Sequence, residues 1–211
     1  LVERGSEIFV SEIAHYLSDE NDITVFQSGK PSHKSYKEIQ IKNIPVISYQ
    51  QKGTTVFILR FFKEQMYHLS VLLFTLVSLY RMRKQKYDWI VPVNGRFQTV
   101  LCRIYRYLSG TKILISGHAG VGFEDRFNLV LGKPDIFVGI SLKAYQWARK
   151  ISLSSKIIYI PNGVDTHKFN PAVLPVKINL PPPIILCVSA LLPYKRINLL
   201  IEAVSLIKGG I

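Results

Sequence analysis

Cysteine is scarce in this chain, two residues in 211, so a scaffold held together by disulfides is excluded. Cys102 and Cys187 stand far apart among apolar neighbours and lack metal-ligand spacing; both are expected to be buried free thiols in a reducing cytosol. Acidic side chains are also few, 14 against 27 basic ones, a formal charge of +13. An excess of that size attracts nucleotide diphosphates, anionic lipid headgroups and nucleic acid alike. No helix-turn-helix, zinc-finger or RNA-binding sheet signature is present, so nucleic acid is not the expected partner. The longest apolar run, Met66 to Tyr80, holds about 15 residues, short of the roughly 20 needed to span a bilayer. Internal repeats and low-complexity tracts are absent.

What is present alternates. Phe9, Val10, Ile13, Ala14 and Leu17 fall on one helical face, with Ser6 as the expected N-cap and Gly5 allowing close backbone approach to a ligand. A short strand is expected over residues 23–26 and another over 39–46, separated by a polar loop over 27–37. The apolar stretch 56–80 reads as a helix buried under the sheet. The alternative is partial membrane contact, because Arg81, Arg83, Lys84 and Lys86 follow directly, an order that suits an anionic lipid surface. Further on, strands are expected over 89–93, 112–116, 136–140 and 157–160. Helices lie between them, over 97–108 with Val100, Leu101, Ile104 and Leu108 inward, and from Ser141 to about Lys150. Near-continuous apolar strands alternating with helices predict a Rossmann-like parallel sheet covered on both faces.

In such sheets ligands bind beyond the carboxyl ends of the strands. Three ends carry candidates: Asn94-Gly95-Arg96, Gly117-His118-Ala119-Gly120-Val121-Gly122, and Ser141. The second has its glycines as G-x-x-G-x-G rather than G-x-G-x-x-G, and no acidic residue follows at the expected place, so a nicotinamide site is discounted. His118 alone in a glycine loop reads as structural or functional. Nearer the C-terminus, an apolar strand is expected over 184–189. Ile197, Leu200, Ile201 and Val204 then give a buried-face helix beginning near Tyr194. Lys195 and Arg196 lie at its N-terminus, where the macrodipole disfavours a cation by roughly 0.3–1 kcal/mol. An anion between them and the free N–H groups relieves that, phosphate being the common one; two solvated surface charges are the alternative.

Ile160-Pro161-Asn162-Gly163-Val164-Asp165, Phe169-Asn170-Pro171, the run from Val188 to Arg196 and Leu200-Ile201-Glu202-Ala203 resemble the interdomain crossing of a family 4 glycosyltransferase with the GT-B fold. Gly5-Ser6-Glu7 resembles that family's Gly-Gly-x-Glu loop, and the motifs span almost the whole chain in order. One position departs: the family usually has an Arg five residues before the motif Lys, and Ala190 stands there, with Arg196 the candidate replacement.

The resemblance implies a retaining transferase that moves a sugar from a nucleotide-diphosphate sugar, bound in a cleft between two domains, to a glycan or lipid-linked acceptor. It serves cell-envelope polysaccharide or glycolipid synthesis, in the cytoplasm or peripherally on the inner face of the membrane. Gly5, Ser6, Lys195 and Arg196 would bind the donor, and His118 would be catalytic. Asn94, Arg96 and Glu124 are candidate acceptor contacts, with a solvated loop as the alternative account of Glu124-Asp125-Arg126. No metal or other cofactor is implied, and there is no Asp-x-Asp.

The organisation expected is an acceptor-side domain over 1–165, a proline-rich connector over 166–183 and the start of a nucleotide-sugar domain over 184–211. Two complete domains need roughly 350 to 400 residues. The chain opens on Leu1, without Met and without an apolar strand before Gly5. A fragment cut at both ends, lacking the family's acidic pair and with little transferase activity of its own, is therefore expected. Another GT-B enzyme such as a nucleotide-sugar epimerase, or a non-catalytic membrane-peripheral binding module, are the alternatives.

Overall fold

Short runs rich in Ile, Val and Phe, separated by amphipathic segments, drive the first part of the chain into strands joined by helices. The computed structural model describes residues 5–30, 35–42, 44, 57–118, 121–174, 177, 179–180, 184–189, 191 and 193–207. The chain divides into two units, Leu1–Asn162 and Gly163–Ile211. In the first, α1 (Gly5–Leu17) leads to β1 (Thr24–Gln27), β2 (Lys37–Gln40) and the long helix α2 (Phe57–Met82). There follow β3 (Trp89–Ile90), α3 (Phe97–Ser109), β4 (Lys112–Gly117), α4 (Phe123–Val130), β5 (Ile136–Gly139), α5 (Leu142–Ile151) and β6 (Lys156–Tyr159).

The unit is α/β, with parallel sheets flanked by helices. Among the described residues there are two sheets rather than the one expected: β1 pairs with β2, and β3-β4-β5-β6 form a four-stranded sheet in sequence order. Each neighbouring pair in the larger sheet is joined by a helix, as parallel pairing requires. Its centre is fully apolar: Ile113 and Ile115 of β4 and Phe137 of β5 are buried, and Cys102 of α3, Leu129 of α4, Ala148 of α5, and Leu79 and Met82 of α2 pack with them. Phe26 of β1 packs against this core, its ring 6.2 Å from that of Tyr87.

Several elements differ from expectation. The expected 39–46 strand is β2 at 37–40, and residues 45 and 46 lie outside the described ones. The 89–93 strand shortens to two residues. Helix α3 buries Gln98, Thr99 and Cys102, whereas Ile104 and Leu108 are exposed. The buried polar pair is held by bonds to the preceding loop that the apolar periodicity does not encode. Helix α2 is continuous through the polar interruption at Lys63, Glu64 and Gln65, whose side chains all favour helix. It is not buried under the sheet on its apolar face: Ser70, Thr75 and Ser78 are buried, while Leu69, Leu73 and Leu76 are exposed. No helix among the described residues is long and apolar enough to cross a membrane.

In the second unit, the Asp165 carboxylate accepts the N–H groups of His167 and Lys168, closing a turn after the Asn162-Gly163 corner. The expected strand over 184–189 is not formed, and among the described residues of this unit there is no strand to complete its ladder. Cys187 is accordingly exposed rather than buried, unlike Cys102. A 3-10 turn, Pro193–Lys195, precedes α6 (Ile197–Ser205), which buries none of its residues within its unit, contrary to the buried face expected.

Candidate functional site

The carboxyl ends of β3, β4 and β5 place three loops on one edge of the sheet, and the parallel arrangement is the reason all three lie there. After β3 the chain turns through Gly95 and Arg96, both at positive φ, 65° and 42°. Asn128 of α4 fixes this turn. Its Oδ1 accepts the Arg96 N–H at 2.7 Å, and a Cβ on Gly95 would come within 3.0 Å of its amide nitrogen. The Asn94 N–H is taken by Gln98 Oε1 at 2.8 Å, and the Thr99 hydroxyl donates to the Arg96 carbonyl at 2.7 Å.

Arg96 and Glu124 are brought together. Glu124 is in the first turn of α4 rather than a solvated loop, and Arg96 Nε donates to its carboxylate at 2.7 Å while Nη2 makes a second short contact. Arg96 Nη1 lies 2.7 Å from His68 Nε2 of α2. Arginine only donates, so this His68 nitrogen accepts and the ring is neutral with its proton on Nδ1. Burial, and then the Arg96 charge, hold the His68 pKa below its ordinary value. The Phe123 ring lies 5.9 Å from the guanidinium carbon. The two candidate acceptor contacts thus spend much of their bonding on each other.

After β4, Gly117 is required by close packing. A Cβ there would meet Phe137 Cζ at 2.6 Å and the Asp125 carboxylate at 3.0 Å. His118 follows, exposed at one edge, with Ser116 Oγ 3.0 Å from its Nε2, in a bond whose direction depends on the tautomer. Its ring meets Phe9 of α1 edge-on at 4.2 Å between centroids. Partial desolvation lowers its pKa, so the ring is neutral near pH 7 and able to give or take one hydrogen bond. Gly5 and Ser6 begin the same helix that carries Phe9. They are helical rather than a loop, so Ser6 is not the N-cap, and a Cβ on Gly5 would meet no described atom within 4 Å. After β5, Ser141 lies where the helix was expected to open and caps α5, its hydroxyl accepting the Ala144 N–H at 3.1 Å.

Lys195 and Arg196 belong to the second unit, and both are exposed. Arg196 is the N-cap of α6 in a left-handed conformation, φ 52°, with no side-chain capping bond. Its backbone closes the 3-10 turn onto Pro193 O at 3.1 Å and accepts from Leu199 N–H at 3.1 Å.

Sequence reasoning missed His68, Gln98, Thr99 and Asn128. The available signal was a polar residue placed on an otherwise apolar helical face, as with His68 inside the 66–80 run. No group of three or more metal-ligating side chains occurs among the described residues. The chain matches no family model, no curated protein and no solved structure.

Proposed function

We propose that this chain is the acceptor-side part of a retaining GT-B glycosyltransferase, acting on a nucleotide-diphosphate sugar and a glycan or lipid-linked acceptor. The observation that carries the reading is the Phe9–His118 packing: the helix that opens with Gly5-Ser6-Glu7 lies against the histidine at the end of β4. Two stretches of the resemblance, remote in sequence, therefore meet on one edge of a parallel sheet. A neutral, half-desolvated His118 suits orientation of a sugar hydroxyl. In the second unit, Lys195 and Arg196 at the start of α6 supply two cations to a diphosphate whose charge grows as the sugar–phosphate bond breaks. The acceptor oxygen bonds the anomeric carbon as the sugar–phosphate bond breaks, the nucleoside diphosphate departs with the bonding pair, and its freed phosphate oxygen takes the acceptor's hydroxyl proton.

Saturation-transfer NMR with uridine- and guanosine-diphosphate sugars tests this reading. The sugar protons should take up saturation from the wild-type chain and lose most of it with His118→Ala. Sugars that receive no saturation from the wild type contradict the proposal. An epimerase working in the same way would return a second sugar isomer without acceptor, which product analysis detects.

A further inference from the structure

Helix α2 is turned the wrong way round for a helix facing water. A surface helix presents its polar side outward. Here Ser70, Thr75 and Ser78 face inward, their hydroxyls bonded to the carbonyls of Tyr67, Val71 and Phe74 at 2.7 to 2.8 Å, and α2 packs on α3. The outward face is Phe62, Met66, Leu69, Leu73, Leu76 and Tyr80, each more than two-fifths exposed. Their spacing alternates by four and three residues, so they form one straight stripe about 27 Å long at 1.5 Å per residue. Glu64 is the only acidic residue in the helix, and it lies beside His68 on the inward side.

The stripe ends in cations. Arg83 stacks over the Tyr80 ring at 5.6 Å, and Lys84 and Lys86 follow, all exposed; Arg81 is exposed as well and donates to Gln40 O. A second copy of this chain would bring two bodies of charge +13 together, which disfavours self-association through this face. An anionic bilayer offers what both halves of the surface lack: apolar depth for the stripe and phosphates for the basic end. The face is too short and too one-sided to cross a bilayer, so it lies on one.

We propose that α2 docks this chain on anionic membranes, with the Phe62-to-Tyr80 stripe in the headgroup boundary and Arg83, Lys84 and Lys86 on lipid phosphates. The inference is independent of sugar transfer and stands or falls separately from it.

Flotation of the 211-residue chain with phosphatidylcholine vesicles, with and without phosphatidylserine, tests it. Three variants are compared: Leu69→Glu/Leu73→Glu on the stripe, Lys84→Gln/Lys86→Gln at its end, and Lys150→Gln/Lys156→Gln as a charge-matched control elsewhere. Circular dichroism and sedimentation are measured on each. Binding to the serine-containing vesicles is expected, weakened roughly 25-fold by the loss of two membrane-facing cations and not by the control. The stripe variant, still folded and monomeric, should lose binding in low salt. If that variant unfolds, Leu73→Trp replaces it, and its emission should shift to the blue on vesicle addition. Absence of vesicle binding overturns the proposal. So does equal weakening by the control pair, which is attraction by net charge alone, or a dimer that the stripe variant dissociates, which assigns the face to a second copy.

Discussion

Two arginines in this molecule stand immediately before a helix at positive φ and meet opposite fates. Arg96 and Arg196 each precede a helix at positive φ, 42° and 52°, Arg196 in the left-handed helical region (ψ 37°) and Arg96 outside it (ψ −119°), and neither makes a side-chain capping bond. Arg96 is clasped by Glu124, His68 and the Phe123 ring, and its amide is held by Asn128. Arg196 is exposed, with no carboxylate bound to it among the described residues. A non-glycine residue in either sparsely populated conformation costs of order 1–3 kcal/mol. At Arg96 the surrounding bonds of the fold offset that cost. At Arg196 the backbone bonds to Pro193 and Leu199 hold the turn, while no side-chain ion pair to Arg196 occurs among the described residues, and a bound anion is the proposed partner of its charge.

The largest expected effect breaks the first arginine's support. Asn128→Ala leaves the Arg96 N–H without its buried acceptor and should lower unfolding free energy by about 2 kcal/mol, read from the urea midpoint. Arg196→Gly sharpens the contrast. Glycine relaxes the backbone, so stability should hold or rise, while affinity for a nucleotide-diphosphate sugar falls roughly tenfold, about 1.4 kcal/mol. Equal stability losses from Asn128→Ala and Arg196→Gly would erase the distinction between the two sites.

Glu124→Gln removes half of a partly exposed ion pair and should cost about 1 kcal/mol, with the loss shrinking in high salt. The smallest effect concerns pH. His68 and His118 both have folded-state pKa values lowered below 6.5, so the unfolded chain binds more protons as pH falls through the window just below that value. Stability should decline there and be unaffected by these groups above it. Replacing both with Gln should flatten the profile.

The sequence made the parallel sheet legible where apolar runs were long and bounded by turns. The 112–116 and 136–140 expectations became Lys112–Gly117 and Ile136–Gly139, and the helix expected to open at Ser141 became Leu142–Ile151. It failed where the outcome depends on a partner. The 184–189 run has β character but no neighbouring strand among the described residues, and α2 shows a strong period that says which residues share a face without saying which way that face points. The candidate site was legible as positions and not as contacts. Arg96, Glu124 and His118 were singled out, but the bonds through Asn128 and His68 join residues roughly 30 apart in sequence, and no local pattern records them. The thiols make the same point. Cys102, its pKa pushed up to about 12 by burial, should resist a thiol reagent until the chain unfolds, whereas Cys187 should react at once.

The most direct test of the glycosyltransferase reading is an amide NMR titration of the 211-residue chain with nucleotide-diphosphate sugars, with inorganic pyrophosphate as a control for simple anion attraction. The account predicts saturable shifts at Lys195, Arg196 and Ile197 with both ligands. It also predicts shifts at Gly5 and His118 that only the sugar-bearing ligand produces. Shifts of the same size for both ligands, scattered over the basic surface and abolished by moderate salt, would contradict it.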